Sequence, residues 1–398
     1  MTKKINWLIF SSHDRGTEFG VGTFIRELSL GLSEYPQINV IVVELGLTED
    51  LLFNIEKKGS ITFFKFPSFD SNKQNKVYDT RTNQTRVAKV ITRLIKFHLP
   101  QADTNIVHLN YIFQYFIGTE LKNQINGRIL FTQHLFVIPQ SELKENIFDI
   151  EAAIYNLADH IITVTNHGKA HLIAKKVDSS KIKVIYNGIN PQRFNIEDED
   201  VCAKYDIVHK KRLVFYSGRL DEIKGLKYLF AAFQQVILEI PNCQLVLAGN
   251  GDWYAMINDT KYISSHVNFL GVLPFSDVVA FYRCSSIGVI PSLEEHCSYV
   301  ALEMLFCGLP VVASKVGGLQ EIFTHGENSL LADMKPCSDN SFKMAPDVSQ
   351  LADYIKDLLI NNHKREQFSA NGKKKALKEY TGGRMVDNYI NLINTYLS

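Results

Sequence analysis

Nothing in this sequence is spaced to hold a zinc ion. The six cysteines, Cys202, Cys243, Cys284, Cys297, Cys307 and Cys337, all lie in the second half of the chain. None forms a C-x-x-C pair or a tight cluster with histidine. The expected state is reduced, mostly structural thiols in a reducing compartment. An excess of one charge is missing too: 43 Lys and Arg stand against 42 Asp and Glu, a net charge of +1. That balance gives no global attraction to nucleic acid. No apolar run approaches the roughly 20 residues that span a bilayer. The opening Ile5 to Phe10 run is short for a signal-peptide core and reads as a first buried strand. The expectation is a cytoplasmic protein, at most peripheral on the cytoplasmic face of a membrane. Low-complexity tracts and short-period repeats are also lacking.

What is present is ordinary globular composition, in a chain of 398 residues. That length suits two domains of roughly 150–200 residues each. Short Val/Ile/Leu-rich runs alternate with amphipathic stretches. The runs at 5–10, 38–43, 61–66, 106–109, 129–132, 161–164 and 182–186 are strand candidates of the first half. Those at 213–217, 244–248, 267–270, 287–290 and 310–313 are candidates of the second. Continuous apolar strands separated by helices predict parallel sheets covered on both faces. The fold class is α/β, with a doubly wound, Rossmann-like pattern appearing twice. The seam follows Asn187 to Pro191, and the polar stretch 195–200 reads as a linker. The expected domains are 1–192 and 193–382, with a helix at 383–398 packing back on the first.

The first strand runs into a glycine-bearing turn with Gly20 and Gly22, followed by apolar Phe24, Ile25, Leu28 and Leu32. Glycines there let backbone N–H groups approach an anion at a helix N-terminus. The spacing approaches the dinucleotide fingerprint, and Glu44 ends the next strand where a ribose-binding acid would sit. Ile25 occupies the third glycine position. An NAD site, a tight turn without a ligand, and a loop closing over a phosphate or sugar all stay open.

The second half is more informative. Strand 213–217 leads into Gly218, Arg219, Leu220 and, after three residues, Lys224 and Gly225. Two cations at the carboxyl edge of a strand suit a diphosphate, Arg as a fork and Lys as a point charge. Further on, strand 287–290 leads to Glu295, and a helix predicted from about Ser298 to Phe306 carries Glu303. The N–H groups of His296 to Val300 lie between the two acids, at the positive end of that helix. One carboxylate can then meet hydroxyls on each side of a bound diphosphate. A nominal acidic triplet, Asp198, Glu199 and Asp200, falls in the polar stretch and reads as solvated acid, not a metal motif.

The segment from Pro291 to Asp333 resembles the retaining GT-B glycosyltransferases of family four. It carries Glu295 and Glu303 as a Glu-x7-Glu pair, then Gly308, Pro310 and Ala313, and then Gly317, Gly318 and Glu321. Gly218 to Gly225, Gly249, Gly251 and Gly271 are similar to the family as well. In the first half the likeness rests on Gly20, Gly22, His108, His134, Asp159, Asn187 and Gly188.

The resemblance implies two Rossmann-like domains facing across a cleft. It also implies transfer of a hexosyl unit from a nucleotide-diphosphate sugar to an acceptor hydroxyl, with retention and without a metal or cofactor. Glycan or glycoconjugate biosynthesis is the implied setting. The donor would be a UDP- or GDP-sugar; a sugar, lipid-linked or protein acceptor is left open. Arg219 and Lys224 would bind the diphosphate and stabilise its charge as it leaves. Glu303 would hydrogen-bond the ribose, and Glu295 the transferred sugar. His134 would face sugar and diphosphate, and Gly20 and Gly22 would close over diphosphate or acceptor. The base would lie near Gly249, Gly251 and Leu273, with Cys297, Ser298 and Tyr299 completing the donor contacts. Where the family usually has Gly, this chain has Ser298, which can cap the helix. His108 reads as structural. A sugar-nucleotide epimerase or phosphorylase of the same fold is the alternative function, and an inactive binding module stays open.

Residues 81–98 predict a helix with Arg86, Lys89, Arg93 and Lys96 on one side and Val87, Ile91, Leu94 and Ile95 on the other. A basic amphipathic helix can lie on anionic lipid. An ordinary domain helix with a solvated basic face has the same pattern.

Overall fold

The computed structural model describes residues 3–12, 20–47, 52–67, 81–134, 146–197, 199–208, 212–338 and 342–397. The chain divides into two compact units. One comprises Met1–Gly188 with Gly382–Ser398, the other Ile189–Thr381.

The first unit holds an eight-stranded sheet of β1 (Ile5–Ser12), β2 (Ile38–Leu47), β3 (Asn54–Lys58), β4 (Ile61–Pro67), β5 (Thr104–Leu109), β6 (Arg128–Gln133), β7 (His160–Thr163) and β8 (Ile182–Val184), in the order β3-β4-β2-β1-β5-β6-β7-β8. Every pairing is parallel except β3 with β4. Trp7, Leu8, Ile9 and Phe10 of β1 are all fully buried, so both faces of the central strand are covered. Edge strand β3 has no apolar run and is mostly exposed, which is why periodicity does not reveal it.

The helix Gly382–Leu397 belongs to this unit and buries Met385, Val386, Tyr389 and Ile393. The helix Arg81–His98 buries Ala88, Ile91 and Ile95 in the same core as Phe64, Val107 and Leu121. Its apolar side is therefore taken by the protein, which corrects the picture of that side lying in lipid. Arg86, Lys89, Arg93 and Lys96 are exposed.

The second unit holds a six-stranded, all-parallel sheet of β9 (Arg212–Ser217), β10 (Cys243–Ala248), β11 (Val267–Phe269), β12 (Ile287–Ile290), β13 (Val311–Ser314) and β14 (Ser329–Ala332), in the order β11-β10-β9-β12-β13-β14. The four-residue β14 escapes a search for long apolar runs. The chain leaves β9 for β10 and β11 on one side, then returns to β12 on the other. This is the doubly wound order, and its switch point lies between β9 and β12. The first unit has the same reversal between β1 and β5.

The stretch 195–200 is not a free linker. Arg283 Nη1 donates to the Ile196 carbonyl at 2.8 Å, and Phe194 stacks on Phe306 at 5.3 Å between centroids. Asp200 caps the short helix Val201–Lys204, accepting from the Ala203 N–H at 3.0 Å. Asp198 lies outside the described residues.

Candidate functional site

Five loops meet at the carboxyl edge of the second sheet, and backbone hydrogen bonds stitch them together. Gly218 donates to the Ala248 carbonyl at 3.0 Å, Leu220 to Asn250 at 2.8 Å and Asp252 to Leu220 at 3.0 Å. Gly249 donates to Gly271 at 2.7 Å, Leu293 to Ile223 at 2.8 Å and Gly318 to Glu295 at 2.9 Å. At Gly225, Gly249, Gly251 and Gly317 of this edge a side chain would collide with a backbone carbonyl oxygen. Gly249 has φ of +144°, and a Cβ there would lie 1.8 Å from the Gly218 carbonyl oxygen. Gly317 has φ of +46°, and its Cβ would lie 2.1 Å from the Glu295 carbonyl oxygen. The Gly317–Gly318 pair thus fixes the backbone that carries Glu295.

The charged side chains stand on this stitched edge. Lys224 Nζ forms an ion pair with Glu295 Oε1, and Ser292 Oγ donates to the same carboxylate oxygen at 3.1 Å. Lys224 is therefore engaged within the protein, where the sequence suggested a cation waiting for phosphate. An ammonium has three donors, so one ion pair does not exhaust it. Arg219 Nη1 pairs with Asp221 Oδ2 at 3.0 Å and is about half exposed. Its carbonyl accepts from the Tyr216 hydroxyl at 2.6 Å, which pins the turn after β9. Burial, and then the negative charges of Asp221 and Glu295, hold that hydroxyl well above its ordinary pKa.

Ser298 is the N-cap of the helix Tyr299–Cys307, accepting from the Ala301 N–H at 3.3 Å. Glu303 lies one turn inside that helix, half-buried. Tyr282 donates to Glu303 Oε2 at 3.0 Å and lies 2.7 Å from Ser217 Oγ at the end of β9. Arg219 and Glu303 are thus tied to the same strand end, and Lys224 and Glu295 meet beside it. Cys297, Ser298 and Tyr299 are buried at the start of the helix. His296 is buried, with Nε2 3.3 Å from Glu294 Oε1. Gly251 is exposed, bridged to Leu220, and Leu273 is half-buried after β11. Among the described residues, no three His, Cys, Asp or Glu side chains gather as metal ligands.

The first unit furnishes its own switch point differently. His134, just past β6, has Nε2 3.0 Å from Asn110 Oδ1, and its ring meets Phe24 edge-on at 4.7 Å. Asn110 in turn donates to the Phe10 carbonyl at 2.9 Å, tying the ends of β1 and β5. His108 is wholly buried, with Nε2 2.7 Å from Thr132 Oγ1, and Thr132 lies 3.0 Å from the Tyr389 hydroxyl. Gly20 and Gly22 fall inside the first turn of the helix Gly20–Leu32, not in a loop before it. Residues 13–19 of that turn lie outside the described residues.

Sequence reasoning missed Tyr216, Tyr282 and Ser217. Each acts through a partner brought close only by the fold, and no local pattern marks it.

Comparison with known proteins places the chain among glycosyltransferase families. Residues 20–193 match the family model described as Glycosyltransferase Family 4, and residues 197–375 match the one described as Glycosyl transferases group 1. An uncharacterised glycosyltransferase of Methanocaldococcus jannaschii is 29% identical over 279 residues, covering 66% of this chain and 70% of that one. Sucrose-phosphate synthase from Thermosynechococcus elongatus has the same fold, with a TM-score of 0.80 at 22% identity over 99% of both chains. HepE of Anabaena, solved in complex with UDP-glucose, has a TM-score of 0.72 at 16% identity over 99% of this chain and 100% of that one.

Proposed function

Since this chain belongs to the GT-B glycosyltransferases of family four, we propose that it moves a hexosyl unit from a UDP- or GDP-sugar to an acceptor hydroxyl, retaining anomeric configuration. One observation carries this. Arg219, Lys224, Glu295 and Glu303 share the carboxyl edge of a doubly wound sheet at its switch point. Such edges take phosphorylated ligands. The UDP-glucose held by HepE supports the ligand class.

Departure of a nucleoside diphosphate builds negative charge while the anomeric carbon gains oxocarbenium character. Arg219, Lys224 and the N–H groups opening the helix Tyr299–Cys307 meet that charge. Glu303 takes the ribose hydroxyls. Glu295, held by Lys224 and Ser292, takes a sugar hydroxyl and keeps the cation beside the leaving group. The two cations do the work of a divalent ion, so turnover should survive EDTA. Abolition by EDTA and rescue by Mn²⁺ would contradict that.

Thermal shift without added metal tests the donor. UDP or GDP should raise the melting temperature and NAD should not; the reverse would return the chain to nicotinamide chemistry. A panel of UDP- and GDP-sugars, assayed for hydrolysis and transfer, then identifies base and sugar.

The exposed side of the helix Arg81–His98 supports peripheral binding to an anionic bilayer. It presents Arg86, Lys89, Arg93 and Lys96 with no acid on the helix, and Phe97, 82% exposed, beside them. No helix among the described residues is long and apolar enough to cross a membrane. Flotation with phosphatidylglycerol vesicles should be salt-sensitive and lost in Arg93→Glu/Lys96→Glu. Absence of flotation at low salt removes this proposal.

A further inference from the structure

Tyr282 lies on the helix Phe275–Cys284, fully buried and outside every sequence motif that marks the site. Its ring meets Phe215 edge-on at 5.5 Å, so the core fixes where its hydroxyl points. That hydroxyl reaches two groups. Glu303 Oε2 lies 3.0 Å away and Ser217 Oγ 2.7 Å away. A phenol has one proton. A carboxylate can only accept, so Tyr282 gives its proton to Glu303 and Ser217 donates to Tyr282. The result is a directed chain from Ser217 through Tyr282 to Glu303, running from the end of β9 to the helix Tyr299–Cys307. Burial, then the charge of Glu303, hold the phenol far above its ordinary pKa, so the donor stays protonated across the working range.

We propose that Tyr282 is a positioning residue for nucleotide recognition, with Ser217 as its support: it sets the orientation in which Glu303 meets the ribose hydroxyls of the donor. The proposal rests on the reading that Glu303 binds ribose. A glutamate on a helix has three rotatable bonds. Fixing one carboxylate oxygen removes most of that freedom before the ligand arrives, which lowers the cost of binding. The two ends of the chain belong to different elements of the switch point. The same contact therefore keeps the strand end that bears Arg219 in register with the helix that bears Glu303.

The test is discrimination between ribose and deoxyribose. UDP and GDP are titrated into the wild-type protein by calorimetry, followed by the 2′-deoxy and 3′-deoxy forms of whichever binds. Tyr282→Phe keeps the ring against Phe215 and removes only the hydroxyl. Loss of one hydrogen bond to a charged group should weaken ribonucleotide binding about five- to tenfold. Deoxynucleotide binding should change less than twofold, so the ratio between them falls. With the sugar donor, KM should rise and kcat should change little. Ser217→Ala should move the ratio in the same direction by less. Equal weakening of ribo and deoxy forms, or an unchanged ratio, makes Tyr282 a core residue and overturns the proposal. Glu303→Ala separates the two layers. If it abolishes discrimination while Tyr282→Phe preserves it, the ribose reading stands and the positioning role fails. If Glu303→Ala leaves discrimination intact, the ribose reading fails and the proposal goes with it.

Discussion

The two units share a strand order but line its switch point with different chemistry. In the first, His108, Asn110 and His134 at the strand ends pack with Phe24 and Tyr389 from the flanking helices, so rings and hydrogen-bonding groups dominate. In the second the strand ends carry Arg219, Lys224, Glu295 and Glu303 on loops closed by Gly249 and Gly317. Topology decides where a ligand can sit, and the side chains decide what kind. A charged, backbone-tight edge suits a charged ligand held in one geometry. An aromatic, hydrogen-bonded edge suits neutral surfaces.

The largest expected effect should fall on the charged edge. Lys224→Ala should cut turnover about 10²–10³-fold, the usual loss for one charge-stabilising group. His134→Ala should cost less in the same assay, and equal losses would erase the distinction between the edges. Next comes Gly317→Ala. It forces a side chain into left-handed backbone against the Glu295 carbonyl and should destabilise the second unit by about 2–4 kcal/mol in urea titration. A neutral outcome would mean the Glu295 loop is looser than described.

The aromatic edge has its own signature in pH. Burial first, and the neighbouring His134 second, push His108 from about 6.5 down to about 3. The folded state therefore binds fewer protons than the unfolded chain below pH 6.5. Stability is intact above that value and is lost as pH falls toward 3. The loss between pH 6.5 and 5 should approach about 2 kcal/mol. Unfolding followed through Trp7 fluorescence in a Trp253→Phe background would read it, and His108→Gln should flatten the slope. The smallest effect concerns the acidic stretch: Asp200→Ala removes a helix cap and should cost the second unit about 1 kcal/mol. No change in its unfolding midpoint would return that stretch to the status of a linker.

Much of the fold was legible because parallel, doubly covered strands must be continuous apolar runs. Trp7 to Phe10 and Leu245 to Ala248 announce themselves that way. β3 did not, because Asn54 to Lys58 buries almost nothing and is held by pairing with β4 alone. In the site, Glu295 and Glu303 were visible as a spaced pair, and Gly317–Gly318 as a motif. The reason for Gly317, a carbonyl 2.1 Å from where a Cβ would stand, exists only in three dimensions. The link from Tyr282 to Ser217 spans 65 residues and has no periodicity to betray it. The polar stretch 195–200 misled for the converse reason: the backbone carbonyl of Ile196, not a side chain, binds it to Arg283.

The helix Gly382–Leu397 gives the two units different fates during synthesis. The second is drawn from one uninterrupted segment and can close its core as soon as Thr381 has left the ribosome. The first is begun earlier, yet the packing around Trp7, Phe24 and His108 includes Tyr389, from the last helix to be made. The core of the half made first is thus completed only by the segment made last.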